Sequence, residues 1–306
     1  MHDRSHTILS LAILAAVAAC SSTTPRTSTA TDHSDHDASV SATATATAAM
    51  SPALQTRALP ADAESARARL SASPRHGEWV MISAGVDSLR AWIVYPERKT
   101  RAPVVVVVHE IYGLSPWVRA VADQLAADGF IAIAPDLLTS KNLPNPTDSV
   151  PAELATAAIR TLDKADVHRQ ISAAANYAMS LPAAVRKYGI VGYCWGGGVS
   201  FEHAVRSESL GAAVVYYGVS PDSASLPSVK APVLGLYGGN DARVNATIPR
   251  ADSVLRALGK TYTSHIFEGA GHGFLRQQNG QNGANLGATQ KAWPETIAWF
   301  RRYLGA

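Results

Sequence analysis

The chain predicts an α/β fold, a mostly parallel sheet of eight strands with helices on both faces. Eight apolar runs carry the strand signal, at 79–83, 89–95, 103–109, 130–134, 188–193, 212–217, 232–237 and 263–267. Several are apolar without interruption, as from Val104 to Val108, which suits strands buried on both faces rather than one. Between them lie stretches with helical spacing, at 118–128, 152–179 with a possible break inside, 197–207, 248–258 and 288–303. Alternation of this length argues for parallel strands joined by right-handed crossovers. In open sheets of this kind reactive groups collect beyond the carboxyl ends of the strands.

Composition narrows the class of function. Of 306 residues, 47% are hydrophobic and 17% charged, which suits one core domain, expected over 61–306, with chain to spare. The formal charge is only +3, from 27 Lys and Arg against 24 Asp and Glu, and no basic block or basic-aromatic stripe is present. Nucleic acid is therefore not the expected partner. A small molecule is, taken by a monomer without cofactor or metal.

Residues 1–20 read as a signal peptide. Arg4 precedes an apolar run from Ile8 to Ala19, too short to span a bilayer but of the length of a signal core. The run ends Val17-Ala18-Ala19-Cys20, small residues directly before a cysteine, which resembles a bacterial lipobox and implies lipidation of Cys20. Ser21, where Asp is absent, implies sorting to the outer membrane, facing the periplasm. Residues 21–60 are largely Ala, Thr and Ser, cannot bury enough apolar surface to fold, and read as a tether. The run Asp32-His33-Ser34-Asp35-His36-Asp37 contains metal-ligand types, but no framework would hold them, so it reads as solvated linker. Of the chain's two cysteines, Cys194 is left without an intrachain partner. In an oxidising compartment such a thiol is a liability unless buried or used.

Gly192-Tyr193-Cys194-Trp195-Gly196 follows an apolar strand and opens a glycine-rich helix, the nucleophile-elbow pattern of α/β-hydrolases with Cys in place of Ser. Glycines two before and two after are required because the elbow leaves no room there for a side chain. The turn would also place the thiol at a helix N-terminus, where free N–H groups favour a thiolate and a developing oxyanion. An acid and then a histidine should follow in chain order. Asp241 lies just past the seventh strand, in Gly238-Gly239-Asn240-Asp241, and His272 just past the eighth, in Glu268-Gly269-Ala270-Gly271-His272-Gly273. Singly, such an Asp is more often a turn former and such a His a surface residue. Their order and strand-end placement favour the catalytic reading. The third strand runs into His109-Glu110-Ile111-Tyr112-Gly113, the loop that supplies one oxyanion-hole amide, so the expected donors are the N–H groups of Ile111 and Trp195.

With Cys194 at the elbow, Glu110 after the third strand, Asp241, and His272-Gly273-Phe274-Leu275-Arg276, the chain resembles the dienelactone hydrolase family from about Gly77 to its C-terminus. The resemblance implies an α/β-hydrolase fold, a triad of Cys194, His272 and Asp241, and a Glu110 that hydrogen-bonds the resting thiol and gives it up when substrate binds. It implies hydrolysis of a small ester or lactone of carboxymethylenebutenolidase type through a Cys194 thioester. Arg276, four residues past His272, matches a family arginine that binds the substrate carboxylate, and Tyr112 is assigned to the same substrate site. A second family arginine has Arg160 as a possible counterpart, but the match around 144–166 is too loose to carry the role. Two other readings compete: a broad exported carboxylesterase, and a non-catalytic surface binding protein on a hydrolase fold, against which the intact Cys194, Asp241, His272 and Glu110 set speaks. The irregular, proline-rich stretch 138–151 would permit a lid.

Overall fold

The computed structural model describes residues 58–85, 87–144 and 149–305. The expected signal peptide, Cys20, the His/Asp run, nearly all of the tether and residues 145–148 of the candidate lid lie outside them. The end of the stretch read as tether belongs to the folded body. Leu59 is buried, Arg69 donates to its carbonyl at 3.0 Å, and Gln278 donates to the Pro60 carbonyl at 2.9 Å.

One eight-stranded sheet is built from β1 (Gly77–Ala84), β2 (Asp87–Val94), β3 (Ala102–Val108), β4 (Ile131–Pro135), β5 (Ala184–Tyr193), β6 (Leu210–Tyr216), β7 (Val233–Gly238) and β8 (Tyr262–Phe267). Their order is β1-β2-β4-β3-β5-β6-β7-β8. β2 runs antiparallel to both β1 and β4, and every other pairing is parallel. The fold is the α/β-hydrolase fold. The helices are α1 (Ala66–Ser71), α2 (Pro116–Ala127), α3 (Ala152–Ile159), α4 (Lys164–Ser180), α5 (Trp195–Arg206), α6 (Ala242–Asn245), α7 (Ile248–Ala257) and α8 (Ala284–Leu304).

The valine run of β3 shows why the sheet needs cover on both sides. Successive strand side chains point to opposite faces. Val104, Val106 and Val108 enter one core with Val167 and Ile171 of α4, Phe201 of α5 and Leu255 of α7. Val105 and Val107 enter the other with Val118 and Val121 of α2 and Trp293 and Phe300 of α8. The helical stretch expected over 152–179 divides into α3 and α4 because Asp163 caps the second helix, accepting the Asp166 N–H at 2.9 Å. α1 and α6, of six and four residues, were not expected from sequence, since neither is long enough to show a helical period. A third, small apolar cluster of Leu138, Ala155 and Ile159 packs against Ile111 and Trp195, so α3 lies over the elbow. The carboxyl ends of β3, β5, β7 and β8 deliver Glu110, Cys194, Asp241 and His272.

Candidate active site

Cys194 stands between β5 and α5 with φ 57° and ψ −116°, a conformation that L-residues rarely adopt. Its flanking glycines are sterically obligatory. A Cβ on Gly192 would lie 1.9 Å from the Gly196 carbonyl oxygen, and one on Gly196 would lie 2.4 Å from that of His109. The strained turn is held by the Cys194 N–H donating to the Tyr216 carbonyl at 3.1 Å, and by the Cys194 carbonyl accepting from Gly197 and Gly198 at 3.1 and 3.2 Å.

The backbone N–H groups of Trp195 and Ile111, the two amides expected to form the oxyanion hole, lie near the sulfur and favour its thiolate. Ile111 is held there from the β3 side. His109 Nδ1 donates to the Glu110 carbonyl at 2.8 Å, and the His109 ring stacks on Trp195 with centroids 5.6 Å apart, so the loop after β3 is fastened to the first turn of α5. Burial pushes the Cys194 thiol up from its ordinary value, and the nearby Glu110 charge pushes it further, against the two N–H groups and the Arg243 charge, which pull it down.

At the ends of β7 and β8, His272 Nδ1 donates to Asp241 Oδ2 at 2.5 Å, and the carboxylate is buried. The other oxygen, Oδ1, accepts the Val244 N–H at 3.4 Å, so one side chain both caps α6 and orients the imidazole. The two loops are joined through backbone, Asn240 N–H donating to the Ala270 carbonyl at 2.9 Å. With Nδ1 protonated toward Asp241, the lone pair of His272 sits on Nε2, the form a general base needs. No hydrogen bond joins His272 to Cys194. Tyr217, itself at φ 40°, lines the same cleft as Cys194, and its ring centroid is 5.1 Å from that of His272.

The family model for the dienelactone hydrolase family matches residues 89–304, more than two thirds of the chain. The chain belongs to the dienelactone hydrolase family. A Salmonella typhimurium protein named as a carboxymethylenebutenolidase is 30% identical over 243 residues, covering 73% of this chain and 89% of the relative. A Bradyrhizobium protein named as a 2-oxo-3-(5-oxofuran-2-ylidene)propanoate lactonase is 29% identical over 242 residues, covering 74% and 94%. A crystal structure described as a dienelactone hydrolase from Klebsiella pneumoniae superposes with a TM-score of 0.67 at 26% identity, covering 75% of this chain and 99% of that one. The protein is accordingly a hydrolase.

Within this dienelactone hydrolase framework, three expected residues form a group of their own. Glu110 is buried, and its carboxylate pairs with Arg276 Nε at 3.0 Å rather than hydrogen-bonding the thiol. The Arg276 guanidinium lies 4.9 Å from the centroid of the Tyr112 ring. Arg276 and Tyr112 line a recess of about 580 Å³ with Arg67 and residues 149–152, separate from the cleft that contains Cys194. The sequence assigns both to the substrate; in the structure Arg276 is engaged with Glu110 and Tyr112. The Cys194 cleft, about 510 Å³, is lined instead by Ile111, Trp195, Tyr217 and Arg243 and by residues of α3 and α4, Arg160 among the neighbours. Tyr217 and Arg243 were missed from sequence. A signal existed for Arg243, two residues past Asp241 on the same turn; Tyr217 had only its place at a strand end.

Burial raises the Glu110 carboxyl from 4.5 to about 7, against the pull of Arg276. A carboxyl raised in this way binds more protons folded than unfolded. Its contribution to stability is therefore fully present below about pH 4.5 and is lost as pH rises through about 7, a change on the order of 3 kcal/mol. Glu110→Gln removes that titration. The Tm difference, variant minus wild type, should rise between pH 4.5 and 8 in calorimetric melts, and parallel curves would contradict the assignment.

Proposed function

We propose that this hydrolase cleaves a small carboxylic ester or lactone, of carboxymethylenebutenolidase type, through a thioester on Cys194. The observation that carries the reading is a sulfur at a strained strand-helix turn, near two backbone amides, at the carboxyl ends of the strands where a carboxylate holds an imidazole. Relatives named for lactone substrates support the lactone form.

In this mechanism the Cys194 side chain rotates to reach His272, which takes the thiol proton on Nε2 while Asp241 stabilises the imidazolium. The thiolate adds to the carbonyl carbon, and the oxyanion accepts from the Ile111 and Trp195 N–H groups. Collapse breaks the C–O bond, and the departing alkoxide takes the proton from His272. Water, deprotonated by His272, then attacks the thioester through a second oxyanion; release of the acid returns the proton to sulfur. Glu110, held by Arg276, keeps a negative charge near the thiol and so disfavours the thiolate at rest. Intact-mass spectrometry of the full chain during turnover of a slow ester or lactone should find one acyl group on Cys194. An adduct on another residue would overturn the mechanism.

We also propose that the chain is exported and lipidated at Cys20, placing a monomeric catalytic domain in the bacterial cell envelope, anchored in the outer membrane and facing the periplasm, on a tether that ends near residue 58. The Val17-Ala18-Ala19-Cys20 sequence supports this. Radiolabelled palmitate should enter the wild-type protein in a bacterial host and fail to enter Cys20→Ser, which should move to the soluble fraction. Equal labelling of both would refute lipidation at that cysteine.

A further inference from the structure

The loop after β8 carries both His272 and Arg276, and it is held from three sides. Its own bonds are local, the Arg276 and Gln277 N–H groups donating to the Gly273 carbonyl at 3.0 Å each. From α8, Asn285 accepts the Gly271 N–H at 2.9 Å and donates to the Gln277 carbonyl at 2.7 Å. The third side is closed by chain from the other end of the molecule. The Ala63 N–H donates to the Arg276 carbonyl at 2.9 Å, and Gln278 Nε2 donates to the Pro60 carbonyl at 2.9 Å.

That chain is itself fixed. Leu59, Ala61 and Ala66 enter the same core as Phe274 and Leu275. Trp117 of α2 donates its indole N–H to the Ala61 carbonyl at 3.0 Å, and its ring meets Tyr193, the neighbour of Cys194, edge on with centroids 5.0 Å apart. Arg69 of α1 donates to the Leu59 carbonyl at 3.0 Å and to Gln124 of α2 at 2.9 Å. A segment serving only as the end of a flexible tether has no need of such bonds, since each ordered residue costs conformational entropy. It also precedes residues 89–304, over which the family model matches, so the family assignment does not account for it.

We propose that residues 59–71 are a brace for the active site: by holding the loop after β8 they fix Arg276 against Glu110, and through that pair they set the resting state of Cys194. Ala63 and Gln278 are then positioning residues. The path is short. The brace meets the Arg276 backbone at 2.9 Å, the Arg276 side chain meets Glu110 at 3.0 Å, and the Glu110 charge acts on the sulfur. Of the other groups around that pair, Arg243 belongs to α6, His272 is bonded to Asp241, and burial pushes the Tyr193 and Tyr217 phenols far up, so both stay neutral. The proposal goes beyond the ester or lactone reading and rests on it only for Cys194 as the reacting thiol; its test needs no substrate, so the two fail separately.

The rate of Cys194 alkylation by iodoacetamide, located by peptide mass spectrometry of the full chain, is compared at pH 8 and pH 6. With its carboxyl raised to about 7, Glu110 is largely neutral at pH 6 and charged at pH 8. Arg276 pulls that carboxyl down, so releasing Arg276 keeps Glu110 neutral at pH 8 and relieves the thiol there, with little change at pH 6. The ratio of the two rates should rise at least about threefold in Arg276→Gln, in Ala63→Pro and in Gln278→Leu. Ala63→Pro should add nothing to Arg276→Gln, because both act through one ion pair. A cleft merely opened by loosening would speed both rates alike and leave the ratio unchanged. Arg75→Gln is the control: Arg75 pairs with Asp123 of α2 at 2.6 Å beyond the brace, so the variant should lower Tm without moving the ratio. An unchanged ratio in Arg276→Gln, or in both Ala63→Pro and Gln278→Leu, overturns the proposal. So does a further rise when Ala63→Pro is added to Arg276→Gln, or an equal rise in Arg75→Gln. Gln278→Leu keeps the test decisive where the proline variant fails to fold.

Discussion

Cys194→Ala should lower kcat/KM on any ester or lactone substrate by at least about a thousandfold and abolish the acyl adduct. Removing a nucleophile that works as part of a unit leaves only the residual rate supplied by the oxyanion hole and binding. The same reasoning makes the loss non-additive. His272→Ala should cost a comparable factor, and the double variant should be little worse than either single one, because each already disables the proton transfer that the other serves. The substitution leaves the strained backbone in place and removes one partly buried atom, so Tm should move only a few degrees. Retained turnover in Cys194→Ala, with the fold intact by circular dichroism, would leave the sulfur no chemical role and would overturn the thioester mechanism.

Gly192→Ala should produce the largest loss of stability of any single methyl addition to the elbow. Its Cβ would meet backbone, the Gly196 carbonyl group at 1.9 and 2.4 Å, and the Ser200 Oγ at 2.4 Å. Both sides are fixed, one by β5 and the other by the first turn of α5, so relief requires the strand and helix to separate. Overpacking against backbone is expected to cost about 3 kcal/mol or more, which for a domain of this size lowers Tm by roughly 6–12 °C. Gly287→Ala is the matched control. It lies within α8, and an added Cβ there meets nothing within 4 Å, so the variant should gain about 0.5–1 kcal/mol from the entropy that glycine adds to the unfolded chain. If the two variants melted alike, the steric account of the elbow would fail.

All eight strands could be read from sequence to within two residues at each end, except the start of β5, which lies four residues earlier, because their signal is local. A run such as Val104 to Val108 is apolar at every position only if both faces are covered, and both cores of the sheet contain it. The elbow was legible for a similar reason: the need for glycine at 192 and 196 arises within a few residues of Cys194. Asp241 and His272 were found from chain order and strand ends, and the observed pair, 2.5 Å apart, follows from adjacent parallel strands ending at the same level. α1 and α6 escaped because elements of about one turn carry no period to detect.

Residue types and their spacing were thus sufficient for the strand-helix alternation, the sulfur at its turn, and the pairing of Asp241 with His272. The partners of the long cations were decided only by folding. Arg276 stands four residues from His272 in every conformation, yet whether it meets a substrate or Glu110 depends on bringing residues 110 and 276 within 3.0 Å across the sheet. Arg243 likewise becomes a wall of the Cys194 cleft only when β5 and β7 lie on either side of β6. Backbone patterns are written within a few residues because sterics and hydrogen bonding act locally. Charge pairing acts through space, between groups that only the tertiary arrangement brings together.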